Sequence, residues 1–163
     1  MTDTNLQDHV AVVLEQWGRE RPDVDVSPMA VIGRLSRVAR RIEVRLGENF
    51  AAQGIDAPTF DVLATLRRSG DPYALSPKDL VETSMVTSSA IAQRLNKLEA
   101  EGLIERTSNE RDGRGKLVHL TDAGRTIVDS VLPVHVAVEH EFLQALSPEQ
   151  QNTLAELLAV LDH

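Results

Sequence analysis

The stretch Ser76–Thr121 reads SPKDLVETSMVTSSAIAQRLNKLEAEGLIERTSNERDGRGKLVHLT, and its interpretation decides the fold. Ser76-Pro77-Lys78-Asp79 has the form of a capping box: serine at the N-cap, proline in the first turn and an acid three residues on. The helix it opens is short, because Thr83-Ser84-Met85-Val86 already reads as a turn and Thr87 can cap the next helix. That second helix has Ile91, Leu95 and Leu98 on its inner face and Gly102 at its end. Its outward residues are Ser88, Ser89, Gln93, Asn96 and Lys97, with Arg94 near the edge. A merely solvated face would show more Glu/Lys pairing. Small hydroxyls followed by amides and a cation instead suit entry into a DNA major groove, where such side chains reach base edges and phosphates.

Downstream, Leu103-Ile104-Glu105-Arg106-Thr107 and Lys116-Leu117-Val118-His119-Leu120 read as two short strands. The connection from Ser108 to Gly115 is an oversized hairpin tip. Gly113 and Gly115 leave Arg114 on an uncluttered loop, and an arginine so presented can enter a narrow minor groove, where negative potential is focused. An ordinary charged hairpin is the alternative. Two short helices followed by a basic hairpin is the order of a winged helix. The expected DNA contacts are Ser76, Thr87, Ser88, Ser89, Gln93, Asn96 and Lys97 from the helices, and Asn109, Arg111, Asp112, Arg114 and Lys116 from the wing.

Outside this stretch the chain is helical. Leu6, Val10, Val13, Leu14 and Trp17 recur at helical spacing until Arg21-Pro22-Asp23. Ser27-Pro28 reads as a cap with proline at the first helical position. A stripe of Ile32, Leu35, Ala39, Ile42, Leu46 and Phe50 then continues to about Gly54. The other side carries Arg34, Arg37, Arg41 and Arg45, either a solvated face or a ligand or phosphate site. Pro58 opens a third helix with Phe60, Leu63 and Leu66 inward, closed by Arg67, Arg68 and Gly70. After the hairpin, Thr121 caps a long helix through Ile127, Val131, Val134, Val138 and Phe142, with a kink or interruption expected at Pro133. Ser147-Pro148-Glu149-Gln150 is another capping box, opening a helix with Leu154, Leu157, Leu158 and Leu161 in one stripe. The expected fold is mainly α with a small β-hairpin wing. Its divisions are N-terminal helices at 1–54, a DNA-binding lobe at 55–121 and C-terminal helices at 122–163. Apolar faces at both ends call for a homodimer, whose two reading heads would meet half-sites about 34 Å apart.

The 163 residues are 42% hydrophobic, enough for one domain with appendages, and the 3% of aromatics leave Leu, Val, Ile and Ala to build the core. Without cysteine there is no disulfide, thiolate ligand or thiol nucleophile. No apolar run approaches the roughly 20 residues that span a bilayer, and the polar opening MTDTNLQDH lacks the features of a secretion signal, so no membrane association and a cytoplasmic address are expected. The net charge of −8 is unevenly spread: residues 31–116 hold 14 basic against 12 acidic side chains, while both ends are acidic. A polyanion would therefore meet the middle of the chain. His135, Glu139, His140 and Glu141 raise the alternative of a metal-binding helical protein, with His135 and Glu139 on one face, but their spacing is not that of zinc proteases. A winged helix that binds protein in place of DNA is the second alternative. No motif asks for a cofactor or a metal, and no enzyme is expected.

Asp112-Gly113-Arg114-Gly115 with Leu120-Thr121-Asp122-Ala123-Gly124, preceded by Leu98-Glu99-Ala100-Glu101-Gly102-Leu103-Ile104, resembles the wing signature of the MarR family of bacterial transcriptional regulators. The helix order agrees over nearly the whole chain. The resemblance implies a homodimer held by the N- and C-terminal helices, with the second helix of each motif in the major groove and Arg114 in the minor groove. Trp17-Gly18-Arg19-Glu20-Arg21-Pro22, Ser27-Pro28-Met29, Phe60-Asp61-Val62-Leu63 and Met85-Val86-Thr87-Ser88 look like the urate-responsive subgroup. Its ligand constellation corresponds here to Trp17, Asp61, Arg94 and Arg106, and it implies a small organic anion, a purine such as urate or a carboxylate, that releases a repressor from a pseudo-palindromic operator. The chemistry is consistent, since guanidinium groups are bidentate donors and an indole offers a stacking face. An anion bound by Arg106 would repel Asp61, shift its pairing with Arg94 and so move the recognition helix. Core packing for Trp17 and a plain ion pair for Asp61 and Arg94 are the alternatives.

Overall fold

The computed structural model describes residues 8–85, 88–108 and 115–162. They fall into two compact units, divided between Val44 and Arg45. In the first, α1 (His9–Glu20) starts where the Asp8 carboxylate accepts the Val10 N–H at 3.0 Å, and it ends at the expected Arg21–Asp23 stop. Asp8 also pairs with Arg34 of α2 (Met29–Ala52), and buried Val10 packs where Gly33 leaves room. Ser27 is not a side-chain cap. Its own N–H donates to Asp25 at 2.9 Å, and Pro28 lies in the turn before α2. Trp17 is 43% exposed, and Val31, Leu35 and Val38 form an exposed apolar stripe on α2.

The second unit is built round α3 (Ala57–Arg68), capped by Asp56, whose carboxylate accepts the Thr59 N–H at 2.9 Å. The expected Phe60, Leu63 and Leu66 are buried, but so are Val62 and Thr65, so α3 is covered over a wide arc. Around it lie α4 (Pro77–Thr83), α5 (Ser88–Ala100) and α6 (Asp122–Leu143). Their Leu80, Ile91, Leu95, Leu98, Val128 and Val131 join one core with Phe50, Ile104, Val118 and Leu120. Positive φ at Gly54, Gly70 and Gly102 ends α2, α3 and α5 at the positions where the chain signals helix stops.

The wing contains one strand more than the hairpin read from the sequence. β1 (Ala74–Leu75), β2 (Ile104–Ser108) and β3 (Lys116–Leu120) form an antiparallel sheet of order β1-β3-β2, with Arg106 opposite Val118 and Ala74 opposite His119. Tyr73, just before β1, accepts the Leu120 N–H on its carbonyl, and the Arg67 and Arg125 guanidinium carbons lie 5.1 and 5.7 Å from its ring centre. These cation–π contacts pin β1 to α3 and α6.

α6 begins at Thr121, whose hydroxyl accepts the Gly124 N–H and donates to the Gly102 carbonyl at 2.8 Å. The helix runs on through Pro133 without the interruption expected there. Proline removes one helical N–H, but buried Val128 and Val131 hold the preceding turns to the core. α7 (Pro148–Leu161) opens with a complete capping box, Ser147 and Gln150 each serving the other's backbone. Its Leu154, Leu157, Leu158, Val160 and Leu161 are all exposed.

Candidate functional site

The turn between α4 and α5 is held from α3. Asp61 Oδ2 accepts the Met85 N–H at 2.9 Å, and Arg68 donates to the Thr83 carbonyl. Ser76 caps α4, but its box is only half closed. Its hydroxyl accepts the Asp79 N–H at 3.1 Å and donates to the Asp79 carboxylate at 2.8 Å, so the acid does not reach the Ser76 backbone. On α5, Gln93, Asn96 and Lys97 are exposed, with Ile91, Leu95 and Leu98 on the buried side. Lys116 is exposed at the start of β3. Thr87, Asn109, Arg111, Asp112 and Arg114 lie outside the described residues, as do the side chains of Ser88 and Ser89.

Two arginines tie α5 to its neighbours. Arg94, largely buried, places Nη1 2.8 Å from Asp56 Oδ2, so the carboxylate that caps α3 also anchors α5. Burial works to raise the Asp56 carboxyl. Hydrogen bonds from Thr59 and the positive charges of Arg94 and Lys97 outweigh it and hold the group below the usual carboxylate value. Arg106 of β2 donates from Nη2 to Asn96 Oδ1 at 2.7 Å, and its Nε is 3.6 Å from Glu99 Oε2. That separation is too long for a hydrogen bond, and the buried Nε–H has no hydrogen-bond acceptor among the described residues.

Asp61, Arg94 and Arg106 thus all touch the helix-turn-helix or its turn, while Trp17 belongs to the other unit. Asp56 was not singled out from the sequence, and Arg68 and Glu99 were read there only as a helix end and as part of the wing signature. Asp56 carried a readable signal, an Asp two residues before Pro58 at a helix start, which the choice of Pro58 as the opening residue passed over. Asn96, read as a base contact, has its carbonyl oxygen engaged by Arg106.

His135 is half-buried against two aromatic rings. Its ring stacks on Phe50 at 5.4 Å and tilts against Phe60 at 4.7 Å, with Nε2 3.2 Å from Glu139. Among the described residues no group of three His, Asp or Glu side chains is placed to hold a metal ion, and no helix is long and apolar enough to cross a membrane. His119 Nε2 lies 2.9 Å from the Thr107 hydroxyl, across the β2–β3 pair.

A short helix, a turn and an amide-bearing second helix, backed by a three-stranded antiparallel sheet, define a winged-helix DNA-binding module. A sequence model of the MarR family matches residues 53–115. The HTH-type transcriptional regulator PecS of Dickeya dadantii (strain 3937) is 42% identical over 149 residues, 91% of this chain and 90% of that protein. The chain belongs to the MarR family of DNA-binding transcriptional regulators. Its fold matches a mutant MarR of E. coli in complex with operator DNA, with a TM-score of 0.73 and 28% identity over 85% of this chain and 99% of that one. It also matches BpsR of Bordetella bronchiseptica, described with the regulation of its DNA binding by 6-hydroxynicotinic acid. There the TM-score is 0.74, with 24% identity over 81% of this chain and 92% of that one, a likeness of fold.

Proposed function

We propose that the protein is a homodimeric repressor that reads a pseudo-palindromic operator with α5 and the wing, and leaves it when a small organic anion binds beside α5. The observation that carries this reading is the pair of arginines bonded at the recognition helix: Arg94 of α5 held by Asp56, and Arg106 of β2 held by Asn96 of α5. An anion drawn to these guanidinium groups competes with their present partners and repels Asp56 and Asp61. It thereby loosens the helix from α3, and the turn from Asp61. The Nε–H of Arg106 supplies a donor for it. Similarity to the urate-responsive subgroup favours urate or another purine, and a carboxylate fits the same donors. Because the two equilibria are linked, DNA and anion weaken each other by the same factor.

The test is fluorescence anisotropy on the protein's own upstream DNA, with and without urate, xanthine, hypoxanthine, citrate, aconitate, salicylate and 6-hydroxynicotinate. At least one anion is expected to weaken DNA binding roughly tenfold, about 1.4 kcal/mol. Arg106→Ser and Asp61→Asn are expected to bind DNA while losing most of that response. A panel that releases nothing, or variants that respond like the parent, overturns the reading. Trp17, the single tryptophan, gives a parallel readout through quenching by the active anion.

A further inference from the structure

Within the first unit, α1 and α2 border an open groove that changes character along its length. One part, about 400 Å³, is walled by Val10, Val13, Met29 and Ile32. Met29 and Ile32 are exposed there although both are large and apolar. The groove continues past Ser36 and Arg37, which line both parts, into a concavity of about 290 Å³ bordered by Ser36, Arg37, Arg40 and Arg41. From Met29 to Arg40 it follows α2 for about 16 Å at the helical rise. The neighbouring Arg34 and Arg45 are paired with Asp8 and Glu141. Among the described residues, Arg37, Arg40 and Arg41 have no carboxylate partner.

We infer that this groove is a binding site for a soluble amphiphilic carboxylate, whose chain lies along Val10, Val13, Met29 and Ile32 and whose head meets Arg37, Arg40 and Arg41. Each half has a chemical reason. Met29 and Ile32, which are open to water, gain by covering, and three guanidinium groups gathered on an otherwise acidic chain attract a planar oxyanion. The stripe Val31, Leu35 and Val38 offers a second copy of the chain an apolar surface, with Ile32 at its edge. At about 100° per residue, the exposed stripe Val31, Leu35 and Val38 points away from Gly33, Ser36 and Arg40 on α2, so covering that stripe leaves this side of the groove open. The site shares no residue with the anion position proposed beside α5 and does not depend on it.

The experiment is isothermal titration of the full chain with sodium decanoate, using butyrate (head without chain) and decanol (chain without head) as controls. One decanoate per chain is expected, with both controls at least tenfold weaker. The triple substitution Arg37→Ser/Arg40→Ser/Arg41→Ser, with its fold checked by circular dichroism, is expected to weaken decanoate at least tenfold. The single variant Arg40→Glu serves if the triple variant is unstable, and the same weakening is expected of it. Arg94→Ser/Arg106→Ser is expected to bind decanoate like the parent. Decanol binding as tightly as decanoate, or arginine substitution without effect, overturns the inference. So does decanoate binding lost only in Arg94→Ser/Arg106→Ser, which would move the ligand to the other site. If the triple variant loses self-association and decanoate binds neither protein, the groove is an interface between copies and the inference fails.

Discussion

Asp56 shows how much one side chain settles at this site. It caps α3 through Thr59 and holds Arg94 of the recognition helix. Since its carboxyl is held below the ordinary value of about 3.9, the unfolded chain takes up the proton first as pH falls. The stability it contributes is therefore complete above about pH 4 and is lost as pH falls through the folded-state value. Asp56→Asn keeps an oxygen for the Thr59 N–H but removes the charge opposite Arg94. Urea titrations from neutral pH downward are expected to show a shallower acid loss of stability for this variant than for the parent. An identical slope would mean that the ion pair contributes nothing to stability. Both partners could be read as charged residues near helix starts and edges, but not as each other's partner.

Elements differ in how plainly their ends are written. Ser147 and Ser76 head similar motifs, yet only the first closes a full box. The Gln150 side chain reaches the Ser147 N–H at 2.9 Å, whereas Asp79, one methylene shorter, stops at the Ser76 hydroxyl. β1 has two residues, too few to show the alternation that marks a strand. The start of α6 presses its first turn onto the loop before β2. A Cβ at Gly124 would lie 2.2 Å from the Leu103 carbonyl oxygen and 2.8 Å from the Leu120 side chain. Gly124→Ala is therefore expected to lower unfolding stability by about 1–3 kcal/mol, measured by urea denaturation, because backbone has to move. A change within experimental error would show that the helix slides without cost.

At the level of the whole chain, the two ends matter through what they leave uncovered. Leu157 is 60% exposed and Leu161 63%, on a helix with no buried residue. Such a stripe is stable in water when a second subunit covers it, and a two-fold pair would set two recognition helices on one face of a duplex. Sedimentation is expected to show a dimer, and Leu157→Glu to raise its dissociation constant roughly tenfold or more, with a parallel loss of operator affinity. A parent chain that sediments as a monomer at micromolar concentration would contradict the homodimer. The acidic balance is no obstacle to DNA, since residues 31–116 hold 14 basic against 12 acidic side chains, whereas residues 1–30 hold 2 against 6 and residues 117–163 hold 1 against 7.

The caps at Ser76, Thr121 and Ser147, the glycine stops and the order of helix, turn, helix and hairpin were legible in the sequence alone, whereas the Asp56 cap was passed over and Ser27 is no cap. Each depends on residues within a few positions of one another, so spacing carries the information. The third strand, the unbroken course of α6 through Pro133 and the packing of His135 against Phe50 and Phe60 were not legible, because packing against distant segments overrides local preference there. The candidate site divides in the same way. Arg94, Arg106 and Asp61 stand out by residue type and by resemblance. That Arg94 meets Asp56, Arg106 meets Asn96 and Asp61 meets the Met85 N–H was decided only when α3, α5 and β2 came together, since a side chain's partner is whatever the folded chain brings within hydrogen-bond reach.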